Sequence, residues 1–196
     1  MKCDRGSRAA ALSITAHALP WLLLAATLLA CSPDRNAETH KGGSEAHAAA
    51  REKAPDFEHK DLDGALVKLS ALRGRTVVID FWATWCPPCV FQPPELNAFL
   101  ERHADPGQIA VLGVEVGGAS VDDIRTWARE NNAIAHYPIL TGADEDLARR
   151  FGAMGFPALV VVAPDGTIDS VHVGLTTAAE LEDLVAHLLA GGTRSS

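Results

Sequence analysis

The chain has 196 residues, 47% hydrophobic and 21% charged, the proportions of one ordinary globular domain with a tail. Its net charge of −8, with no cluster of Lys and Arg, excludes the footprint of a nucleic-acid binder.

The first element is not part of the fold. Residues 1–17 carry Lys2, Arg5 and Arg8 against one acid, Asp4, and residues 18–30 follow without a charge. Thirteen apolar residues are too few to span a bilayer, but they suit the core of a secretory signal. The run ends at Leu28-Leu29-Ala30-Cys31, which resembles the lipobox of bacterial lipoprotein signals. The resemblance implies that residues 1–30 are a signal peptide, cleaved after Ala30, and that Cys31 becomes the lipidated first residue. Leu29 stands where such signals usually carry a small residue, so an uncleaved anchor and an ordinary secretory signal stay open. Two acyl chains give stable attachment where one is marginal. Ser32, in place of an aspartate, implies a periplasm-facing position at the outer membrane, or the cell surface if the cell has one membrane. Removing residues 1–30 leaves a net charge of −10.

Residues 31–54 show no hydrophobic period and read as a flexible linker from the lipid to the domain. The folded domain is expected over residues 55–191, with residues 192–196 as a polar tail. Segments around Asp61-Leu62-Asp63-Gly64 form a first hairpin, because Asp-Gly favours the tight turn. Residues 76–81 are a buried strand, and residues 90–103 are helical but interrupted by Pro93-Pro94. Residues 109–116 are almost wholly apolar, as in a strand covered on both faces. Ser120 caps a helix over residues 121–131, in which Trp127 is core packing rather than a binding platform. Tyr137-Pro138-Ile139-Leu140 reads as an edge segment, and residues 144–151 as a short helix. Two strands around Pro164-Asp165-Gly166-Thr167 form a closing hairpin. Thr176 or Thr177 then caps a last helix with Leu181, Leu184, Val185 and Leu188 on its buried stripe. Helix-separated strands followed by a hairpin give an α/β class with a mixed sheet.

Of the four cysteines, Cys3 lies in the signal, Cys31 at the lipidation site, and Cys86 and Cys89 form a CPPC pair. The pair follows the strand and opens a helix, where the dipole and free backbone N–H groups favour a thiolate. A structural zinc site needs about four ligands, and no second CxxC or CxxH exists. Two intervening residues also make a poor staple, so a redox pair is the better reading and no metal is assigned. His40 and His47 fall in the linker. His103, His136, His172 and His187 lie scattered without ligand spacing.

Phe81-Trp82-Ala83-Thr84-Trp85-Cys86-Pro87-Pro88-Cys89, Pro94 and Gly155-Phe156-Pro157 together resemble the thioredoxin superfamily, in its TlpA/ResA-like branch of exported, membrane-tethered thiol–disulfide oxidoreductases. The resemblance implies a thioredoxin-like fold: a mixed central β-sheet flanked by helices, with an extra N-terminal β-hairpin. It makes Cys86 the exposed nucleophile and Cys89 the resolving thiol, with Trp82, Trp85, Pro87 and Pro88 beside them. Phe156-Pro157 matches the family's cis-proline, whose backbone pairs with substrate; a trans proline ending a loop is the alternative. No cofactor beyond the cysteine pair is implied. The implied partners are exported proteins with disulfides, such as apocytochrome c, and a membrane thiol electron donor. An oxidase or isomerase of the same fold is the nearest rival. A copper metallochaperone is disfavoured by the cysteine spacing, and a peroxidase by the absence of Thr three residues before Cys86.

Asp80 is the polar residue in an apolar strand, so desolvation should raise its pKa and suit it to exchange a proton with a thiol. It sits at the position of the buried acid in the thioredoxin pattern. Relatives in the TlpA/ResA branch carry asparagine there and a glutamate at the position of Gln92, so this chain places its acid on the strand. A solvated strand-end aspartate is the alternative. Glu115 is expected at the surface, with a second acid near the site as the alternative.

Overall fold

The computed structural model describes residues 51–103 and 107–191. The signal peptide, Cys31, most of the linker and the polar tail lie outside the described residues.

Two seven-residue strands, β3 (Thr76–Trp82) and β4 (Ile109–Glu115), are buried at every position. Their largely apolar sequences suit strands with both faces covered. Ahead of them stand β1 (Glu58–Asp61) and β2 (Leu66–Lys68), and after them β5 (Ile139–Thr141), β6 (Ala158–Val162) and β7 (Ile168–Val173). The seven strands form one sheet in the order β2-β1-β5-β4-β3-β6-β7. β3, β4 and β5 run parallel, and the other pairings are antiparallel.

β5 is therefore an interior strand, not the edge segment expected from Tyr137-Pro138. The N-terminal hairpin pairs along its free side through β1 and moves the edge out to β2. The other edge is β7.

Side chains of β3 divide between the faces with the period of two that a strand imposes. Val77, Ile79 and Phe81 enter one core with Phe57, Leu147 and Phe151, and Phe151 packs against Phe81 with ring centroids 5.4 Å apart. Val78 and Trp82 enter the opposite core with Cys86, Cys89, Leu96, Phe99, Ile124 and Leu181. Helix α3 (Glu145–Arg150) covers the first face. Helices α1 (Gln92–Arg102), α2 (Val121–Glu130) and α4 (Ala178–Leu189) cover the second.

The helix starts follow local chemistry. Ser120 with Asp123, and Thr177 with Glu180, form capping boxes on α2 and α4. The break at Pro93-Pro94 is a change of helix type. A 3-10 turn over Pro87–Phe91 hands over to α1, whose first turn contains both prolines, where a missing N–H leaves no bond unmade. At the β6–β7 turn Gly166 has φ +79°, and the Arg73 guanidinium lies where a Cβ would project, so only glycine fits.

Ordered chain begins before Pro55. Ala54 N–H donates to Gly166 O at 3.0 Å, Ile168 N–H donates to Glu52 O at 2.8 Å, and Arg51 pairs with the buried Asp169 at 2.8 Å. Residues 51–54, read as linker from their composition, thus belong to the domain. Backbone pairing holds them, and a hydrophobic period does not reveal it.

Candidate active site

β3 carries the chain to the end of the sheet, and Ala83-Thr84-Trp85 turns it into the 3-10 helix. Cys86 caps that helix in extended conformation (φ −93°, ψ 102°), with its N–H on Ala83 O at 3.1 Å. Cys89 N–H donates back to Cys86 O at 3.1 Å, which closes a turn tight enough for the Cys86–Cys89 disulfide, Cα–Cα 5.4 Å. Pro87 and Pro88 bring no N–H groups to this turn. Two of the backbone donors expected to favour a thiolate are therefore absent, and the helix dipole carries more of that task.

Cys86 is not exposed. Its residue is 4% accessible and that of Cys89 1%, so the expectation of an open nucleophile is corrected for the oxidised pair. Phe156 packs against the core cluster that holds both sulfurs, and Trp85 meets it edge-on at 5.8 Å. Trp85 itself is 57% accessible and marks the open side, as do the exposed Met154 and Leu175. The Phe156–Pro157 peptide bond is cis, and Pro157 O accepts from Gly174 N–H at 2.7 Å.

Asp80 lies in mid-strand, opposite Gly113 on β4 and Leu159 on β6. Its alternation with Val78 and Trp82 turns it toward the layer that contains the cysteines. It is buried, and Oδ1 has no hydrogen-bond partner. Burial pushes its carboxyl up to about 8. A solvated strand-end aspartate does not describe this residue.

Gln92 is fully buried and pairs with the backbone of Thr176 in both directions. Nε2 donates to Thr176 O at 2.9 Å, and Thr176 N–H donates to Oε1 at 3.0 Å. This pair ties the start of α1 to the loop before α4 and uses the amide as donor and acceptor. Gln92→Glu turns the donor into a second acceptor facing a carbonyl, at a cost of about 2 kcal/mol at neutral pH. Protonation of the buried Glu restores a donor. Its native pKa is then raised, and the loss shrinks as pH falls through that value. Urea unfolding of the variant at pH 5 and pH 8 checks this; an equal loss at both contradicts it.

Glu115, expected at the surface, is wholly buried on the same face as Asp80, opposite Trp82 in register. Its carboxylate accepts from Gly117 N–H at 2.9 Å and Ala119 N–H at 3.1 Å, which shapes the loop beneath Trp85. A Cβ at Gly117 would stand 2.7 Å from Glu115 Oε1 and 2.7 Å from Trp85 Nε1, so this contact leaves no room for a side chain. Trp82 is buried against the half-buried Trp127, with ring centroids 4.6 Å apart. Both line a groove of about 360 Å³ with Pro93, Ile124, Tyr137 and Ile139, so Trp127 serves as wall as well as packing.

Sequence reasoning also missed Tyr137, whose ring borders Gly113, the residue across from Asp80. Burial and then the field of Asp80 raise its hydroxyl pKa well above the ordinary value. The only signal in the chain was Gly113, a residue without a side chain in an otherwise bulky strand. Among the described residues, no three His, Cys, Asp or Glu side chains gather in a group that could hold a metal.

The comparisons agree with this geometry. The AhpC/TSA family model matches residues 50–171. The thioredoxin-like protein YneN of Bacillus subtilis is 30% identical over 67% of this chain and 75% of its own length. The thiol-disulfide oxidoreductase ResA of Geobacillus thermodenitrificans is 27% identical over 69% of this chain and 74% of its own. Among solved structures, a thiol:disulfide interchange protein of the thioredoxin family from Chlorobium tepidum superposes with TM-score 0.59 at 25% identity, covering 72% of this chain and 98% of that one. The chain belongs to the AhpC/TSA family, as a thioredoxin-like thiol–disulfide oxidoreductase of the ResA type.

Proposed function

We propose that this protein reduces disulfides of exported proteins, apocytochrome c among them, from a periplasm-facing, membrane-attached position. The observation that carries the reading is the Cys86–Cys89 disulfide held on a helix start, on the same side of the sheet as the buried Asp80. In the reduced protein the Cys86 thiolate attacks a substrate disulfide, and one substrate sulfur leaves as a thiolate that takes up a proton. The Cys89 thiol gives its proton to the Asp80 carboxylate, and the resulting thiolate attacks Cys86 Sγ. The Cys86–Cys89 bond forms, the mixed disulfide breaks, and the second substrate thiol departs. The substrate gains two electrons and the protein loses two. Pro157 presents the backbone against which an extended substrate lies. A membrane thiol donor restores the reduced pair, and Cys31, carrying lipid, holds the protein at the bilayer. The cysteine pair is itself the redox centre, and no further cofactor enters the cycle.

Cys89→Ala stops the cycle at the mixed disulfide. Expressed in an exporting host, the full chain with this change should accumulate adducts through Cys86 that thiol reagents release. Cys86→Ala should accumulate none. Apocytochrome among the captured proteins supports the substrate class. A reduction potential near that of strongly oxidising periplasmic enzymes, about −120 mV, would contradict the reducing direction.

A further inference from the structure

The ionised Asp80 that accepts the Cys89 proton is a charge without a partner in a dry site. Oδ1 is buried and accepts no hydrogen bond. A buried carboxylate is stable only when donors turn toward it. β3 and β4 supply no cation on this face: the neighbours of Asp80 there are Val78, Trp82, Val111 and Gly113, and the one other ionisable group is Glu115. Glu115 is committed to the amides of Gly117 and Ala119. The 3-10 turn contributes the two cysteines. Arg125 and Arg129 of α2 line the groove, but Arg125 is bonded to Leu62 O and Asp63, and Arg129 to Thr126.

Two side chains that border Gly113 carry buried donors without an acceptor: Tyr137 Oη and Trp82 Nε1. Gly113 brings them to one place. A Cβ on Gly113, the residue directly across from Asp80, would collide with Ile139 Cδ1. It would also stand 3.3 Å from Tyr137 Cε2 and 3.4 Å from Trp82 Nε1. Ile139 Cδ1 thus fills the space that a side chain at 113 would take, and the Tyr137 ring and the Trp82 indole N–H border it. The indole N–H is fixed in the plane of its ring, whereas a hydroxyl hydrogen rotates to meet whichever oxygen becomes charged.

We propose that Tyr137 is a positioning residue for the thiol–disulfide exchange, its hydroxyl donating to the Asp80 carboxylate while that carboxylate is ionised. This deepens the reading of Asp80 as proton acceptor and rests on it. Removing a donor to the charged form disfavours that form, so Tyr137→Phe raises the pH at which Asp80 ionises.

The test uses the full chain as wild type, Tyr137→Phe, Asp80→Asn and the double variant, reduced and mixed with a disulfide-bonded peptide across pH 5 to pH 10. The expected result is a rate profile whose Asp80-dependent midpoint rises by about one unit in Tyr137→Phe, a tenfold weaker ionisation. Asp80→Asn loses that midpoint, and the double variant matches Asp80→Asn. An unmoved midpoint in Tyr137→Phe, with Asp80→Asn still flattening the profile, overturns the role of Tyr137 and leaves that of Asp80. An unchanged profile in Asp80→Asn overturns both. A shift of equal size in the double variant also overturns the proposal, because the tyrosine would then act on the cysteines. The infrared band of the protonated Asp80 carboxyl in the oxidised chain, where neither cysteine titrates, gives the midpoint of Asp80 alone without turnover. It should rise in Tyr137→Phe and must stay put if the proposal is wrong.

Discussion

At pH 7 the oxidised Asp80→Asn variant unfolds at higher urea than the wild type, by on the order of 4 kcal/mol, and the advantage vanishes below pH 4. Burial lifts the Asp80 carboxyl from 3.8 to about 8, so between those values the native protein holds a proton that the unfolded chain has released. Stability therefore falls as pH rises through this window, by roughly 1 kcal/mol or a little more per pH unit, and the fall ends above the native value. This is the reverse of a salt-bridged carboxylate, which stabilises as pH rises. Asparagine carries no proton to lose, and other titrating groups cancel in the difference between variant and wild type. Paired urea transitions at steps from pH 4 to pH 9 check it. A difference that does not change with pH contradicts the assignment of a neutral, buried Asp80.

Glu115→Ala is expected to lower stability by about 3 kcal/mol and to free the loop beneath Trp85. The truncation takes the buried carboxylate from two partly buried backbone donors, Gly117 N–H and Ala119 N–H. It also opens a hole beside Trp85 that the loop can only partly fill. Glu115→Gln keeps one acceptor oxygen and should retain more than half of the stability lost in the alanine variant. Urea unfolding gives the two stabilities, and hydrogen exchange at Gly117 and Ala119 reports the loop directly. Unaltered protection of those amides in Glu115→Ala would contradict the role assigned to the carboxylate.

The parts of this molecule that were legible in its residues are those that local chemistry controls. The apolar run of β3 with its single acid, the Asp-Gly turns, the capping residue Ser120 and the CPPC pair all act within a few positions of themselves. Asp80 was readable for the same reason, since one charged letter among seven buried strand residues declares its own desolvation. What escaped depends on which strand lies beside which. The interior place of β5 follows from a hairpin formed far upstream, and its three residues are too few to show a pattern. Glu115 looked like a strand-end surface residue because the amides that hold it, of Gly117 and Ala119, belong to the loop after the strand. Tyr137 reaches the residue across from Asp80 only through the β3–β4 register and the missing side chain of Gly113. Phe156, remote in the chain, packs against the cluster that holds Cys86.

The backbone pairing of residues 51–54 with the β6–β7 turn has a directional consequence. β6 starts at the redox end of the sheet, where Ala158 pairs with Phe81, and reaches the other end at Val162, opposite Val77. Its turn, and Arg51 with it, therefore sits roughly 15–20 Å of strand away from the sulfurs. The domain's first described residues and its sulfurs therefore stand at opposite ends of the sheet.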